Sequence, residues 1–402
     1  MATLHFAEAR ECVVREVRSA ALSSEGTPAT IVDTPLGESA GCVLAEEISA
    51  DRDYPSTARS VRDGFALRSL NVPGVLRVIG EVRAGETFPG EVGPGEAVEI
   101  MTGAPVPRGA DAVVMVEHTE REGEFVIIDR QIKRGEAINP QGAESKAGQL
   151  LLAPGQRLGF AEIALLAMVG RSAVRVYRRP HVAILSTGDE VIDITETPRP
   201  DQVRNSNAWA LAAQVTRAGG VPEVLPVARD VYQSTRELIE RGLSAGLLLL
   251  SGGVSAGKYD IVERVLADLG AKFFFDRVLI QPGQPLVFGA ARGKFFFGLP
   301  GNPASTMITF ELFARAAIDL LGGRNEAPLL MPMARLTSDF RQKTGLVRFL
   351  PALLTGDGTE ITPIPWQGSS DVPALTRANA FLVTEEERET WRAGELIRVL
   401  LK

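Results

Sequence analysis

Three short segments combine glycines with hydroxyl, amide or carboxylate side chains, and such residues are well suited to bind an anion. Each follows a run of apolar residues: the segments are STGDE (186–190), SGGVSAGKYD (251–260) and GLPGNPAS (298–305). Glycines let backbone N–H groups approach an anion closely, and the N-terminus of a following helix adds positive partial charge. One loop of this kind is often only a tight turn. Three of them at the same edge of one sheet would form a binding site.

The second segment is close to the P-loop of nucleotide-hydrolysing enzymes. Gly252, Gly257 and Lys258 have the spacing of G-x-x-x-x-G-K-[ST], in which the last residue supplies a hydroxyl to magnesium. Tyr259 occupies that last position here, and a second strand ending in a magnesium-holding aspartate is not evident. The sequence therefore argues against an NTPase.

Carboxylates follow three strands of the same predicted sheet. Glu190, Asp230 and Asp260 each lie just past a predicted strand, so their side chains can converge. Mg²⁺ prefers such oxygen ligands and usually takes one or two carboxylates together with substrate phosphate and water. Asp230 and Asp260 could instead be N-caps of the following helices. The two roles are compatible, because both place a carboxylate at the positive end of a helix.

The elements that position these loops alternate between strand and helix. Buried apolar strands that alternate with helices predict a parallel sheet covered on both faces, with ligands bound at the carboxyl ends of its strands. The strands are predicted in HVAILS, VPEVLPV, GLLLLSGG, LVFGA and KFFFGLPG, and the helices at Asn207–Ala218, Thr235–Ala245, Ile261–Leu269 and Ala304–Leu321.

The pattern of helical and strand segments in the rest of the sequence predicts a multidomain α/β protein. An amphipathic helix at 4–22 and a helix at about 159–169 flank a stretch in which Gly and Pro punctuate short Val- and Ile-rich strands. After Gly322-Gly323 the chain returns to short strands. We expect an N-terminal region, a doubly wound α/β domain and a small C-terminal β domain. Their predicted bounds are 1–178 (with 1–52 and 146–178 around an inserted β-rich subdomain at about 53–145), 179–326 and 327–402.

Composition excludes several classes of function. The chain has 402 residues and a net charge of -7, so it lacks the basic footprint of a nucleic-acid binder. Its three histidines and two cysteines, Cys12 and Cys42, have no metal-ligand or disulfide spacing. No signal pattern and no apolar run of about 20 residues is present. We therefore expect a cytoplasmic protein that binds neither nucleic acid nor a membrane.

Taken together, eight segments resemble the molybdopterin molybdotransferase family, which comprises the MoeA proteins and the E domain of gephyrin. They occur in the family's order and span nearly the whole chain. The segments are VRDGFALR (61–68), MTGAPVPRGADAVV (101–114), LSTGDE (185–190), RNSNAWAL (204–211), SGGVSAGKYD (251–260), QPGQP (281–285), GLPGNPAS (298–305) and WQGSSDVPALTRAN (366–379).

The resemblance implies a fold, a reaction and an assembly. It implies a central molybdopterin-binding domain of the MoaB/Mog type and a homodimer with its active site between the subunits. The implied reaction inserts molybdenum from molybdate into adenylylated molybdopterin, requires Mg²⁺ and releases AMP. A molybdopterin adenylyltransferase and molybdoenzymes are the implied pathway partners.

The resemblance also assigns roles to individual residues. Asp63 and Thr102 would act in the neighbouring subunit's site, and Arg348 and Ser369 would hold molybdate. The catalytic and metal-binding set would include Glu190, Asp230 and Asp260, whereas Pro300, Gly301, Asn302 and Ser305 would line the pocket. The further substrate-binding residues implied are Glu144, Ser186, Thr187, Gly188, Asp189, Ser251, Gly252, Gly253, Ser255, Lys258, Gln281 and Gln284.

One departure from the family pattern concerns the oxyanion. Many members have K-P-G-K where this chain has Gln281-Pro282-Gly283-Gln284, which removes two cations from an anion-binding segment. Arg277 and Lys258 are the cations that we expect to compensate. The sequence does not distinguish molybdate from tungstate, which has the same shape and charge.

Two other functions remain as alternatives. A molybdopterin adenylyltransferase would share the SGGVS-type domain, but the N-terminal region and the WQGS segment argue against it. A non-catalytic molybdopterin-binding dimeric scaffold is supported only by the two glutamines of QPGQP, and the retained carboxylates argue against it.

Overall fold

The computed structural model of the protein describes residues 3–22, 30–253 and 261–402. Contacts between residues divide the chain into two compact units. The larger unit comprises Met1–Ala45, Pro154–Ile163 and Ala173–Lys402, and the smaller unit comprises Glu46–Ala153 and Ala164–Ser172.

The larger unit is built around a seven-stranded mixed sheet. In order across the sheet, its strands are Thr3–Leu4, Lys272–Val278, Pro285–Ala291, Lys294–Leu299, Leu247–Ser251, His181–Ser186 and Val221–Val224. The last four are mutually parallel, as the alternation of strands and helices predicted. The α/β fold class is therefore confirmed.

The prediction of a wholly parallel sheet was wrong at Pro285–Ala291, which runs antiparallel to Lys294–Leu299. Only Arg292 and Gly293 separate these strands, and their φ angles are 51° and 74°. A two-residue turn of this kind makes an antiparallel hairpin, whereas a parallel connection needs a long crossover. The strand Lys272–Val278, which was not predicted, pairs antiparallel with the same hairpin.

Helices cover both faces of the sheet because its central strands are apolar on both sides. Along Leu247–Leu250, alternate side chains enter two separate hydrophobic clusters: Leu247 and Leu249 enter one, Leu248 and Leu250 the other. The helices that accompany this sheet are Phe6–Leu22, Ser206–Ala218, Tyr232–Gly242, Ile261–Asp268 and Pro303–Thr309, the last continuing through a π-helical turn at Phe310–Ala314 into Arg315–Leu321.

The C-terminal part of the larger unit is a small barrel. Five strands form a closed ring, and the short strand Ile280–Gln281 pairs with Val347–Leu354 at its side. The ring consists of Val347–Leu354, Glu360–Pro363, Met333–Leu336, Leu396–Leu401 and Ala380–Val383. The strand Glu360–Pro363 and the helix Val372–Arg377 were not predicted.

Shorter elements complete the larger unit. The strands Ile31–Pro35, Ala173–Tyr177 and Val43–Leu44 form one small sheet. The remaining elements are the strand pairs Val191–Ile192 with Val203–Arg204 and Phe340–Arg341 with Thr390–Trp391, and the 3₁₀ turn Leu36–Glu38.

The smaller unit contains a six-stranded β-sheet, as the Gly- and Pro-punctuated strands predicted. Its order is Glu120–Glu122, Phe125–Ile128, Gly74–Val82, Glu96–Ile100, Gly64–Leu67 and Ala112–Met115. The other elements are the strand pairs Arg59–Ser60 with Ile138–Asn139 and Ile48–Ser49 with Leu150–Leu152, and the 3₁₀ turns Ser69–Asn71 and Val116–His118. The residues of the helix Phe160–Met168 are divided between the two units.

Candidate active site

A cleft of about 720 Å³ lies at the carboxyl ends of three neighbouring parallel strands in the larger unit. The register of the strands places Ser186 opposite Ser251, and Ser251 opposite Leu299, so the three glycine-containing loops leave the sheet at one edge. The cleft is lined by Ser186, Thr187, Glu190, Val191, Val203, Arg204, Asn205, Ser206, Asn207, Ser251, Gly252, Gly253, Pro285, Pro300, Gly301, Asn302, Pro303, Ser370 and Val372.

Glycines let the first and second loops pack closely. Gly252 and Gly253 have φ angles of 87° and 62°. A Cβ on Gly252 would lie 2.9 Å from the carbonyl oxygen of Thr187, and one on Gly253 would lie 2.6 Å from Thr187 Oγ1. A side chain at either position would therefore collide with the first loop and strain the backbone.

An asparagine joins the second loop to the third. Asn207 Nδ2 donates to Ser251 Oγ at 2.9 Å and to the carbonyl oxygen of Gly301 at 2.8 Å. Asn207 lies in the first turn of the helix Ser206–Ala218, whose N-cap is Asn205. The strand end is tied to the same helix start, because Ser186 Oγ donates to Asn205 Oδ1 at 2.8 Å.

The C-terminal part of the larger unit contributes one wall of the cleft. The N–H of Ala304, in the first turn of the helix that starts at Pro303, donates to the carbonyl oxygen of Ser369 at 2.9 Å. Ser370 and Val372 line the cleft. Ser305, which was predicted to line the pocket, is instead buried and is not among the lining residues.

Acidic side chains lie beside the first loop. The backbone N–H of Asp230 donates to Asp189 Oδ1 at 3.1 Å, and Glu190 lines the cleft. Partial burial and the negative charges of Asp189 and Glu190 raise the pKa of Asp230. A divalent cation would relieve this repulsion, and carboxylate oxygens are ligands that Mg²⁺ prefers.

Of the three metal ligands predicted from the sequence, the structure describes Glu190 and Asp230. Within residues 3–22, 30–253 and 261–402, no group of three or more His, Cys, Asp or Glu side chains is placed to hold a metal ion. Asp260, together with Ser255 and Lys258, lies outside the described residues. The N-cap alternative for Asp230 was wrong, because the helix begins at Tyr232 with Val231 as its N-cap.

Replacing Asp230 with asparagine is expected to stabilise the metal-free protein near neutral pH. The raised pKa means that ionisation of Asp230 opposes folding: the cost begins above the unfolded-state pKa and is complete above the folded-state pKa. We expect Asp230→Asn to raise the midpoint of thermal unfolding by on the order of 1 °C at pH 7, and the difference to vanish at a pH low enough to protonate Asp230 in both states. Calorimetry from pH 7 down to below the ordinary pKa of an aspartate measures both. A lower midpoint at pH 7 would refute the repulsion.

The predicted oxyanion residue Arg348 does not line the cleft. It is buried; its Nε donates to Gln281 Oε1 at 2.9 Å, and its Nη1 donates to the carbonyl oxygens of Lys343 and Leu346. Burial lowers the pKa of Arg348. Gln281, which replaces a lysine common in the family pattern, thus accepts a hydrogen bond that a lysine could not accept.

Gln284 and Arg277 both lie close to Pro285 in the sheet. The backbone carbonyl oxygen of Gln284 accepts from the N–H of Val278 at 3.0 Å. Arg277 is exposed on the strand Lys272–Val278, in register with Pro285, and Pro285 lines the cleft.

In the smaller unit, two predicted residues contact each other. Asp63 Oδ1 accepts from the N–H of Thr102 at 2.6 Å and from Thr102 Oγ1 at 2.8 Å. These hydrogen bonds lower the pKa of Asp63, so it is ionised at neutral pH. Glu144 is exposed and accepts from Asn139 Nδ2 at 3.1 Å.

Sequence reasoning missed Asn207 as a site residue, although its segment RNSNAWAL was noted. The available signal was two asparagines, Asn205 and Asn207, at the start of a predicted helix. One of them caps the helix, which leaves the other to face the loops.

Comparisons with known proteins agree over nearly the whole chain. Three family models match in order: the MoeA N-terminal region (domain I and II) at residues 4–170, a probable molybdopterin binding domain at 183–319, and the MoeA C-terminal region (domain IV) at 333–402. A molybdopterin molybdenumtransferase of Bacillus subtilis is 35% identical over 375 residues, which cover 89% of this chain and 86% of that protein. The corresponding protein of Staphylococcus epidermidis is 33% identical over 380 residues, which cover 92% and 91%.

This chain belongs to the MoeA family. The resemblance noted in the sequence is therefore confirmed. A crystal structure of a molybdopterin biosynthesis MoeA protein from Pyrococcus horikoshii aligns with a TM-score of 0.82 at 27% identity and covers 100% of both chains. A second, from the same organism, aligns with a TM-score of 0.75 at 32% identity and covers 100% of this chain and 99% of that chain.

Among the helices within residues 3–22, 30–253 and 261–402, none is long and apolar enough to cross a membrane.

Proposed function

We propose that this protein is a molybdopterin molybdenumtransferase that inserts molybdenum from molybdate into adenylylated molybdopterin and releases AMP. The observation that supports the proposal most strongly is the cleft, where three glycine-containing loops meet at one sheet edge beside Glu190. Its volume of about 720 Å³ is in the range of sites for small molecules and cofactors. Family membership over nearly the full chain supports the same reaction.

The described residues supply binding and orientation. The backbone of the Ser251–Gly253 loop and the start of the helix at Pro303 offer N–H groups and positive partial charge to phosphate or molybdate oxygens. The hydrogen bonds of Asn207 hold those two loops at a fixed separation, which fixes the distance between the groups that they bind. Gly252 and Gly253 pack closely against Thr187 and line the cleft.

The acidic side chains are proposed to hold Mg²⁺. Glu190 and Asp230, with Asp260 from the sequence pattern, would be its ligands. When bound, Mg²⁺ would neutralise charge on the phosphoanhydride that joins AMP to molybdopterin.

We further propose that the site is completed in a homodimer. The Asp63–Thr102 pair lies in the smaller unit, and its Oδ1 is fixed by two hydrogen bonds while the carboxylate keeps its charge. Such a preorganised carboxylate suits a role in the neighbouring subunit's site. A cytoplasmic location, a molybdopterin adenylyltransferase as supplier and molybdoenzymes as recipients belong to the same proposal, as does the division into domains at 1–178, 179–326 and 327–402.

The oxyanion side of the site is proposed to involve Arg348, Ser369, Gln281 and Gln284. The hydrogen bonds of Arg348 to Gln281, Lys343 and Leu346 engage Nε and Nη1 and do not engage Nη2. The two N–H groups of Nη2 are the ones that would donate to a tetrahedral oxyanion. Molybdate and tungstate both fit this chemistry.

The proposal is tested by following AMP release from adenylylated molybdopterin with Mg²⁺ while molybdate is titrated. We expect saturable, molybdate-dependent release. A parallel reaction with molybdopterin and ATP distinguishes the adenylyltransferase alternative, which would release pyrophosphate. Binding of the adenylylated pterin without AMP release at any molybdate concentration would favour the scaffold alternative and reject the transferase.

A further inference from the structure

Two buried polar atoms in the cleft have no hydrogen-bond partner. They are Asn207 Oδ1 and Thr187 Oγ1, and both residues line the cleft. Leaving a buried polar atom unpaired costs free energy, so such atoms are normally satisfied by protein, water or ligand. Their position in the cleft indicates a ligand as the partner.

The hydrogen bonds of Asn207 determine what that ligand must present. The carbonyl oxygen of Gly301 can only accept, so the amide nitrogen of Asn207 must be the atom that faces it at 2.8 Å. The other amide atom is therefore the oxygen, which can only accept. Asn207 Oδ1 requires an N–H or O–H donor, and a phosphate or molybdate oxygen cannot satisfy it.

Thr187 places a second polar atom in the same cleft. Its hydroxyl can donate or accept, and its backbone N–H is already used by the carbonyl oxygen of Ser251 at 3.0 Å. Gly252 and Gly253 pack closely against this hydroxyl, so the requirement for a donor in the ligand is set by Asn207 Oδ1.

We infer that Asn207 recognises an N–H group of the bound heterocycle through Oδ1, while its amide nitrogen sets the spacing of the two loops. This inference rests on the proposed function and makes it more specific. In adenylylated molybdopterin, the amino group of the adenine and that of the pterin both supply the required donor. Asn207 is accordingly a residue that determines specificity, and the anion-binding loops are not sufficient for recognition.

The test compares pairs of ligands that differ in one amino group. By calorimetry, AMP is compared with purine riboside 5′-monophosphate, which lacks the 6-amino group. Pterin 6-carboxylate is compared with 4-oxopteridine 6-carboxylate, which lacks the 2-amino group. We expect the amino-bearing member of one pair to bind roughly 10-fold more tightly. The pair that shows the preference identifies which heterocycle Asn207 contacts.

Variants separate recognition from folding. In Asn207→Ala, the ratio of the two affinities within that ligand pair should fall to about one, even if both affinities change. Gln214→Ala is the matched control: Gln214 lies on the same helix, also has an unpaired amide oxygen and does not line the cleft. The affinity ratio of Gln214→Ala should equal that of the wild type.

The outcomes distinguish the two proposals. Equal affinities within both pairs, or a preference that survives in Asn207→Ala, would overturn the role of Asn207 and leave the transferase proposal standing. Failure of all four ligands to bind the wild-type protein would overturn both.

Discussion

A Gly64→Ala variant is expected to lose the native fold of the smaller unit. Gly64 is buried at the start of a central strand, and a Cβ there would lie 1.8 Å from the carbonyl oxygen of Val114 on the neighbouring strand. That contact is with backbone, so no side-chain rotation relieves it. We expect a loss of about 4 kcal/mol or more in the free energy of unfolding, which is at the extreme of single substitutions.

Hydrogen–deuterium exchange measures this effect locally. Protection of the amides in Gly64–Leu67 and Ala112–Met115, which pair with each other, should be lost. Gly356→Ala is the control, because a Cβ there has no atom within 4 Å and the φ angle of Gly356 is ordinary; its exchange should be unchanged. Wild-type protection in Gly64→Ala would show that the strands separate without cost and that the glycine of the RDG motif is not structural.

An Asp63→Asn variant is expected to fold normally and to lose activity by about 10²-fold or more. The asparagine oxygen can still accept from the N–H and hydroxyl of Thr102, which hold Asp63 Oδ1 at 2.6 Å and 2.8 Å. The substitution removes the negative charge and little else. Within one motif, therefore, Gly64 serves the fold and Asp63 serves the proposed chemistry.

The rate of molybdate-dependent AMP release measures the loss, and thermal unfolding verifies the fold. Asp111→Asn is a matched control in the same unit, since Asp111 similarly accepts from the backbone N–H and the hydroxyl of a single residue, Ser69. It should retain the wild-type rate. If Asp63→Asn also retained that rate, the charge of Asp63 would have no part in the reaction.

The sequence located the cleft because strand ends and glycines are local signals. Apolar runs ended at Ser186, Ser251 and Leu299, and parallel pairing then brings those ends to one edge. The helix Ser206–Ala218 was predicted within one residue at its start and ended, as expected, at Gly219, whose φ is 93°.

Features that depend on tertiary contacts were not predictable in the same way. The helix that was predicted to begin at Thr235 begins three residues earlier, and its N-cap is Val231 rather than Asp230. The burial of Arg348 against Gln281 joins residues 67 positions apart, and no local pattern encodes that pairing. The hydrogen bond from Asn207 to the carbonyl oxygen of Gly301 likewise joins residues 94 positions apart. The antiparallel hairpin is different, since its two-residue turn, Arg292-Gly293, is a local signal in the sequence.

The central claim is tested most directly by measuring both products in one reaction. Purified protein is incubated with adenylylated molybdopterin, Mg²⁺ and molybdate, and AMP and dithiolene-bound molybdenum are quantified in the same samples over time. We predict that both appear together in equal amounts and that neither forms without molybdate. AMP release that is independent of molybdate, or release without molybdenum bound to the dithiolene, would contradict the assignment as a molybdenumtransferase.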